Sequence, residues 1–440
     1  MGIITQKHRI IEGQRLASDY EPLRPFQGYC SNEQSECRKP LKGALGTYAE
    51  SSSPLPPYAD LKTAKNHALR AQRYTLQNSI RKLVMHDAGF AGTDIPDMAE
   101  YNKLPRVVKC LRGRVALTVD IKKSVDHGKA FYCGLFTCGS VWACPLCAAK
   151  IQERRREEIA TAVDWSESQG LVAVMVTFTF PHYDFQTVAD LLKRQAASLK
   201  YLRSGKSFQN FKSHIGMNGF IRSLEVTFGS NGWHPHTHEL WFIDPETDPS
   251  YFSDYVTKRW EKACDKQGFI PKGKLKAFRK NAVNVRWNAN CSDYLAKQDD
   301  GKNVWGVDRE MSLSTYKRSV KTMHPFELVQ LSSNGDRHAG EKFLEYIQAL
   351  KGKAQIYWSQ GLKKKVSIDD KTDSEIAGEL VDDAFDIAEL EFWAWKKVLD
   401  LKARSHLLIL AEVGGSESIH EWLKEHGLHE APKIWTEKIL

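Results

Sequence analysis

The chain has 440 residues, 42% of them hydrophobic, with 63 lysines and arginines against 54 acidic residues and a formal net charge of +9. That length holds one sizeable core with flanking modules, and the charge suits a polyanionic partner. The longest apolar run, around 171 to 180, is threonine-rich and far too short to span a membrane, and nine cysteines without a secretory leader point to a reducing cytoplasm.

Residues 1–105 read as a polar N-terminal arm, partly disordered, with Ser51-Ser52-Ser53-Pro54-Leu55-Pro56-Pro57 as a linker and a helix from about Asp60 to His86. The segment 106–155 carries Cys110, Cys133, Cys138, Cys144 and Cys147, the last two forming a Cys-x-x-Cys knuckle. Thiolates at such spacing predict a tetrahedral structural Zn²⁺ site, with a redox pair as the alternative. A charged helix from Ala149 to Glu167 follows, and its Arg154-Arg155-Arg156 run either touches phosphate or is simply solvated.

Strands are expected near 171–180, 220–228 and 236–243, with helices over Phe185 to Ser204 and Tyr251 to Gln267. That mixture is α+β, with helices packed on an antiparallel sheet. The turn signal Gly229-Ser230-Asn231-Gly232 would fold the 220–228 strand back onto Trp233-His234-Pro235-His236-Thr237-His238. Side chains at i and i+2 share one face of a strand, so His236 and His238 are candidate ligands for one metal ion. Glu225 on the partner strand would complete an N/O set suited to Mg²⁺ or Mn²⁺, unless it is an ordinary cross-strand charge.

Downstream, 266–292 holds Lys272, Lys274, Lys276, Arg279, Lys280 and Arg286, no acidic residue, and the aromatics Phe278 and Trp287. Cations neutralise phosphate and aromatic faces stack on unpaired bases, so this strip reads as a single-strand groove or as a basic surface hairpin. Next comes a helical turn with Tyr294 and Lys297. A phenol with its pKa near 10 attacks a phosphodiester only with help, which a divalent ion and a nearby lysine would supply. Residues 366–440 form an acidic region expected to be helical, with Phe392, Trp393, Trp395 and Leu399 spaced as a packing face. No phosphate-binding loop of the Gly-x-x-x-x-Gly-Lys-Ser/Thr type occurs, because Lys200 stands five residues before Gly205-Lys206-Ser207.

Together these residues resemble the HUH endonucleases, and among them the plasmid rolling-circle replication initiators with a single catalytic tyrosine. Val174 to Pro181 is similar to their first motif, Trp233 to His238 to the Trp-His-Pro-His-x-His motif, and Tyr294 with Lys297 to the Tyr-x-x-Lys helix. The block Cys138 to Cys147 resembles their cysteine region, whose distant first ligand favours Cys110 over Cys133 as the fourth thiolate. The likeness spans roughly 105 to 365 and closes on Ile356-Tyr357-Trp358-Ser359-Gln360-Gly361-Leu362.

The resemblance implies an HUH nuclease core over 156–365 and metal ligation by His236, His238 and Glu225. It implies attack by Tyr294 on origin DNA, giving a 5′-phosphotyrosine and a 3′-hydroxyl that primes a host polymerase, while the lack of a phosphate-binding loop implies a separate host helicase. A homodimer is left open. Such initiators often carry a glutamate one helical turn before the tyrosine; here Asn290 stands there and is no general base, so termination would fall to Asp293, Asp299 or another group. The competing expectations are a related single-strand transposase and a zinc-dependent DNA-binding regulator without catalysis.

Overall fold

A computed structural model describes residues 61–90, 98–288, 322–379 and 383–428. Its centre is a sheet in which β3 (Val172–Phe178), β4 (Gly219–Gly229), β5 (Gly232–Ile243), β6 (Val283–Arg286), β7 (Thr322–Met323) and β8 (Ile356–Trp358) pair antiparallel. The order is β6-β3-β5-β4-β7, with β8 also alongside β4. This is the α+β architecture with an antiparallel sheet that the strand and helix patterns predict.

Alternation along the strands divides the apolar residues between two layers. Val174, Val176, Phe178, Trp233 and Trp241 enter the main core with the helices Val188–Leu202 and Pro249–Lys266. Ala173, Met175, Ile221, Leu240 and Phe242 face the other way, against the helix Pro145–Ser168 and the short helix Leu362–Val366. The helices Val188–Leu202 and Pro249–Lys266 each begin on a side-chain cap: Thr187 Oγ1 accepts the Asp190 N–H at 3.2 Å, and Asp248 Oδ1 accepts the Ser250 N–H at 2.9 Å.

The β4–β5 hairpin closes tightly, with Gly229 paired to Gly232. Its positive φ falls on Gly232, at 79°, and a Cβ there would lie 2.7 Å from Asp184 Cα. Both the turn and the close approach of the 183–184 backbone therefore need glycine at this position.

A second, three-stranded sheet has the order β2-β1-β9, from β1 (Val119–Ser124), β2 (Ala130–Cys133) and β9 (Ala384–Leu390). Its core joins Val119, Ile121 and Tyr132 to Ile387, Leu390, Trp395, Leu407 and Trp422. The C-terminal region was expected to be helical; it does carry the helices Phe392–Asp400 and Arg404–Glu425, but it also supplies β9. Acidic side chains hide that strand in the sequence. Asp386 lies opposite Lys122 in the ladder and pairs with it at 3.0 Å. Among the described residues no helix is long and apolar enough to cross a membrane.

Candidate functional site

Antiparallel register brings the histidine strand and the glutamate strand into one cluster. Glu225 lies directly opposite His236, while His238 lies opposite Ser223 on β4 and Thr177 on β3. Glu225 Oε2 sits 2.9 Å from His236 Nε2 and 3.2 Å from His238 Nε2. Glu225 and His238 are buried, and His236 keeps an edge open to solvent. The cluster occupies the face that carries Ile221 and Leu240, beyond the part those residues give to the covering helix.

These separations suit a metal ion. Adjacent oxygen or nitrogen ligands held octahedrally at about 2.1 Å lie about 3.0 Å apart, close to the spacings observed. His238 Nδ1 is 3.1 Å from Thr177 Oγ1, which orients the ring so that Nε2 points to Glu225. Such a partner on the far ring nitrogen is the usual support of a histidine ligand. Thr237 points the other way and accepts a hydrogen bond from Gln195 Nε2 at 2.8 Å, which fixes the strand's orientation from behind.

Sequence reasoning missed the ring next to this cluster. His182 stacks on His234, with centroids 4.5 Å apart, and His234 lies 5.0 Å from His236. Burial, reinforced by the His236 and His182 rings, holds His234 down to about 3, so it is a neutral imidazole at physiological pH. The signal available in the sequence was His182 in the segment directly after β3. His324 is also buried: its Nδ1 accepts the Phe326 N–H at 3.1 Å, and burial lowers its pKa to about 4.

The thiols of Cys110, Cys138, Cys144 and Cys147 form a second cluster, all buried. Cys110 Sγ lies 3.4 Å from Cys147 Sγ and 3.7 Å from Cys144 Sγ, and Cys138 Sγ lies 3.6 Å from Cys147 Sγ. A disulfide needs about 2.05 Å, whereas a tetrahedron with Zn–S bonds of about 2.3 Å has sulfur–sulfur edges of about 3.8 Å. The four thiols therefore fit a zinc ion. Cys133, the other candidate, is a buried free thiol on β2 and stands outside the group.

The electrostatics of the cluster agree with that chemistry. Hydrogen bonds from the other three thiols hold Cys147 well below the ordinary thiol range, while Cys110 and Cys144 are pushed well above it. Without a central cation one thiolate is favoured at the expense of the rest; a bound dication would remove that conflict. The knuckle is braced by the Cys138 N–H, which donates to Cys110 Sγ at 3.3 Å, and by Gln77, whose Nε2 donates to Cys110 O at 2.8 Å.

The basic strip ends on β6, at the edge of the sheet that carries the histidine cluster. Asn284 on β6 lies opposite Thr177 and Arg286 opposite Met175, so both share the histidine face of the sheet. Lys272, Lys274, Lys276 and Lys280 are exposed. Arg279 is engaged in a fork with Glu261, at 2.5 and 2.9 Å. Phe278 is only 4% exposed and belongs to the core, and Trp287 packs edge-on against Phe252, so the interleaved aromatics are not the stacking faces expected. In the arginine run, Arg155 is buried between Glu158 and Asp373 and Arg156 pairs with Glu153. Tyr294 and Lys297, with Asn290, Asp293 and Asp299, lie outside the described residues.

A family model described as a replication protein matches residues 136–405, a stretch that takes in Glu225, His236, His238 and three of the four clustered cysteines. The chain is similar to a "Protein rep" of Streptomyces lividans, 27% identical over 311 residues, covering 55% of this chain and 66% of that protein. It is also similar to a "Neomycin resistance protein" of Streptomyces cyanogenus, 32% identical over 146 residues and covering 28% and 33% of the two chains. A "Protein rep" of Lentilactobacillus hilgardii is 24% identical over 183 residues, covering 39% and 55%. The matches thus span between 33% and 66% of these relatives' own lengths. No solved structure gives a significant match.

Proposed function

Because the chain belongs to the replication protein family, we propose that it initiates rolling-circle replication of a plasmid by nicking and later rejoining one strand of origin DNA. The observation that carries this reading is the convergence of Glu225, His236 and His238 on one sheet face. A divalent ion bound there, Mg²⁺ or Mn²⁺, would polarise the scissile phosphate. Arg286 and the exposed lysines 272, 274, 276 and 280 would bind flanking phosphates.

In this mechanism the Tyr294 phenolate oxygen attacks phosphorus in line as the bond to the 3′ oxygen breaks. The phenol proton leaves to a base or water, and the 3′ oxygen departs as a hydroxyl, with Lys297 offsetting the charge on the phosphate. The product is a 5′-phosphotyrosine, whose retained bond energy permits religation without ATP, and a 3′-hydroxyl that primes the polymerase. Host helicase and polymerase would act with the protein in the cytoplasm. The four-cysteine cluster would hold a structural Zn²⁺.

Support for the role of Tyr294 comes from chain geometry. It follows Asn288, the last described residue after β6, by six positions. Six residues can span about 20 Å; β6 lies two strand spacings, about 10 Å, from β5 and runs away from the cluster, with Arg286 level with Leu240, so the chain after it would have to turn back to bring Tyr294 to the site.

The test is to incubate the protein with single-stranded origin DNA and Mn²⁺ and to look for a covalent adduct on a denaturing gel. The adduct is expected from the natural chain and absent from Tyr294→Phe, which should still bind the DNA. An adduct that survives the substitution removes Tyr294 from the mechanism.

A further inference from the structure

The segment joining β3 to the helix Val188–Leu202 presents two aromatic rings to solvent. Tyr183 is 43% and Phe185 80% exposed, and their rings are parallel to within 7° with centroids 5.7 Å apart. Large apolar side chains at such exposure need a reason when they stand together on a hydrogen-bonded loop. The loop is well braced. The Tyr183 N–H donates to Gln186 Oε1 at 2.8 Å, and the Gln186 N–H returns to Tyr183 O at 3.1 Å. From the other side the tip of the β4–β5 hairpin presses on it, where only a glycine fits at 232.

Its location matters more than its exposure. His182, the residue before this pair, stacks on His234, which in turn lies beside His236 of the candidate metal cluster. The two exposed rings thus begin one residue beyond a column of imidazoles that ends at the site. We propose that Tyr183 and Phe185 form a stacking platform for an unpaired base of the DNA strand held at Glu225, His236 and His238. The proposal rests on the nuclease reading above and deepens it by naming what holds the strand beside the cut.

The chemistry selects a base over other occupants. Residues 181–187 contain no lysine or arginine and do contain the exposed Asp184, so the loop is unsuited to gripping phosphate. Two rings among polar neighbours are also far smaller than the roughly 1,200 Å² that a stable protein interface buries. A nucleobase needs only a flat face, and base–aromatic stacking tolerates any sequence. Because the loop is held in place before binding, little ordering cost opposes the stack.

The experiment uses the full chain and an oligothymidylate carrying a single 2-aminopurine, whose fluorescence falls on stacking, moved through successive positions. The natural chain is expected to quench the reporter at a confined set of positions. Phe185→Leu should lose that quenching and bind about five- to tenfold more weakly, the size expected from losing one stacked base, while Phe185→Trp restores both. Phe185 is exposed enough for all three chains to melt alike, which a thermal scan checks. Quenching at no position, or a Phe185→Leu chain that quenches and binds like the natural one, overturns the platform. The adduct assay runs separately: stacking without any adduct overturns the nuclease reading and keeps the platform, and an adduct with no stacking does the reverse.

Discussion

Cys110 shows how one side chain can decide a site. Its sulfur contacts Cys144 and Cys147, and the Cys138 N–H donates to it, although Cys138 lies 28 residues away in sequence. Cys133 is much nearer along the chain yet sits on β2 opposite Asp120, turned to a different neighbourhood. We therefore expect Cys110→Ser to abolish retention of roughly one equivalent of zinc and to unfold the segment around it, as loss of a structural ligand does. Cys133→Ser should keep the metal. Metal analysis of the purified variants checks both, and loss of zinc from Cys133→Ser would contradict the assignment.

The histidine cluster was legible in the sequence at this scale because its geometry is local. Two imidazoles at i and i+2 share a face whenever the segment is a strand. Glu225 needed only the hairpin turn. The neighbours beside these groups, Thr177 against His238 and His182 against His234, come from β3 and the segment after it and left no mark beside the motif.

Among the elements, the β4–β5 hairpin carries the most consequence. Gly232 combines a left-handed backbone with an Asp184 Cα that would stand only 2.7 Å from an added Cβ. Gly232→Ala meets both obstacles and should cost about 1–3 kcal/mol, read as a lower midpoint in thermal unfolding. Since His234 and His236 follow at once, the same change should weaken divalent-ion binding. Unchanged stability in Gly232→Ala would show that the loop at 183–184 yields freely.

Elements also show where sequence patterns mislead. β3 and β5 are plain as apolar runs buried on both faces of the sheet, whereas β9 carries Asp386 and Glu389 amid its apolar residues and so reads as an acidic stretch. Phe278 looked available to stack on a base, but the helix Leu275–Asn281 turns it into the core and leaves its lysines outside.

At the scale of the described fold, the tie between the helix Leu61–Asp87, the three-stranded sheet and the helix Arg404–Glu425 is concentrated on Glu412. Its carboxylate meets His67 at 2.6 Å and Lys129 at 3.7 Å, also pairs with Arg70, and accepts the Ala130 N–H at 2.9 Å. A buried acid with this many donors fixes the arrangement, and Glu412→Ala should destabilise the fold by about 3 kcal/mol or more by stranding its partners. Two depressed values in this cluster add to those of His234 and His324 in setting the pH dependence. Burial lowers His67 from 6.5, so its protonation opposes the fold, and the surrounding donors, led by Arg70, hold Glu412 below its ordinary 4.5 despite its burial. Both contributions are complete above the unfolded-state values and are lost on acidification. Stability should thus decline as pH falls below about 6.5 and decline further below about 4.5, with the lower step missing in Glu412→Gln. Denaturant midpoints measured across that range test it, and a flat profile would remove the role given to this cluster.

Arg404 extends the same tie toward the cysteines. It donates to Gln77 Oε1 at 2.8 Å and Leu111 O at 2.9 Å, while Gln77 holds the Cys110 carbonyl.

Sequence alone determined what repeats over short distances: strand alternation, the paired histidines, the Cys-x-x-Cys knuckle, the turn at 229–232 and the net positive charge. Those features follow from backbone periodicity and side-chain chemistry, which act within a few residues. Tertiary structure settled the choice of Cys110 over Cys133 that the family resemblance favours, and it alone decided that Arg155 is consumed by Glu158 and Asp373, that Phe278 is buried, and that His182 extends the imidazole column. Each of these depends on which surfaces meet when apolar area is buried, a choice made by the whole chain at once.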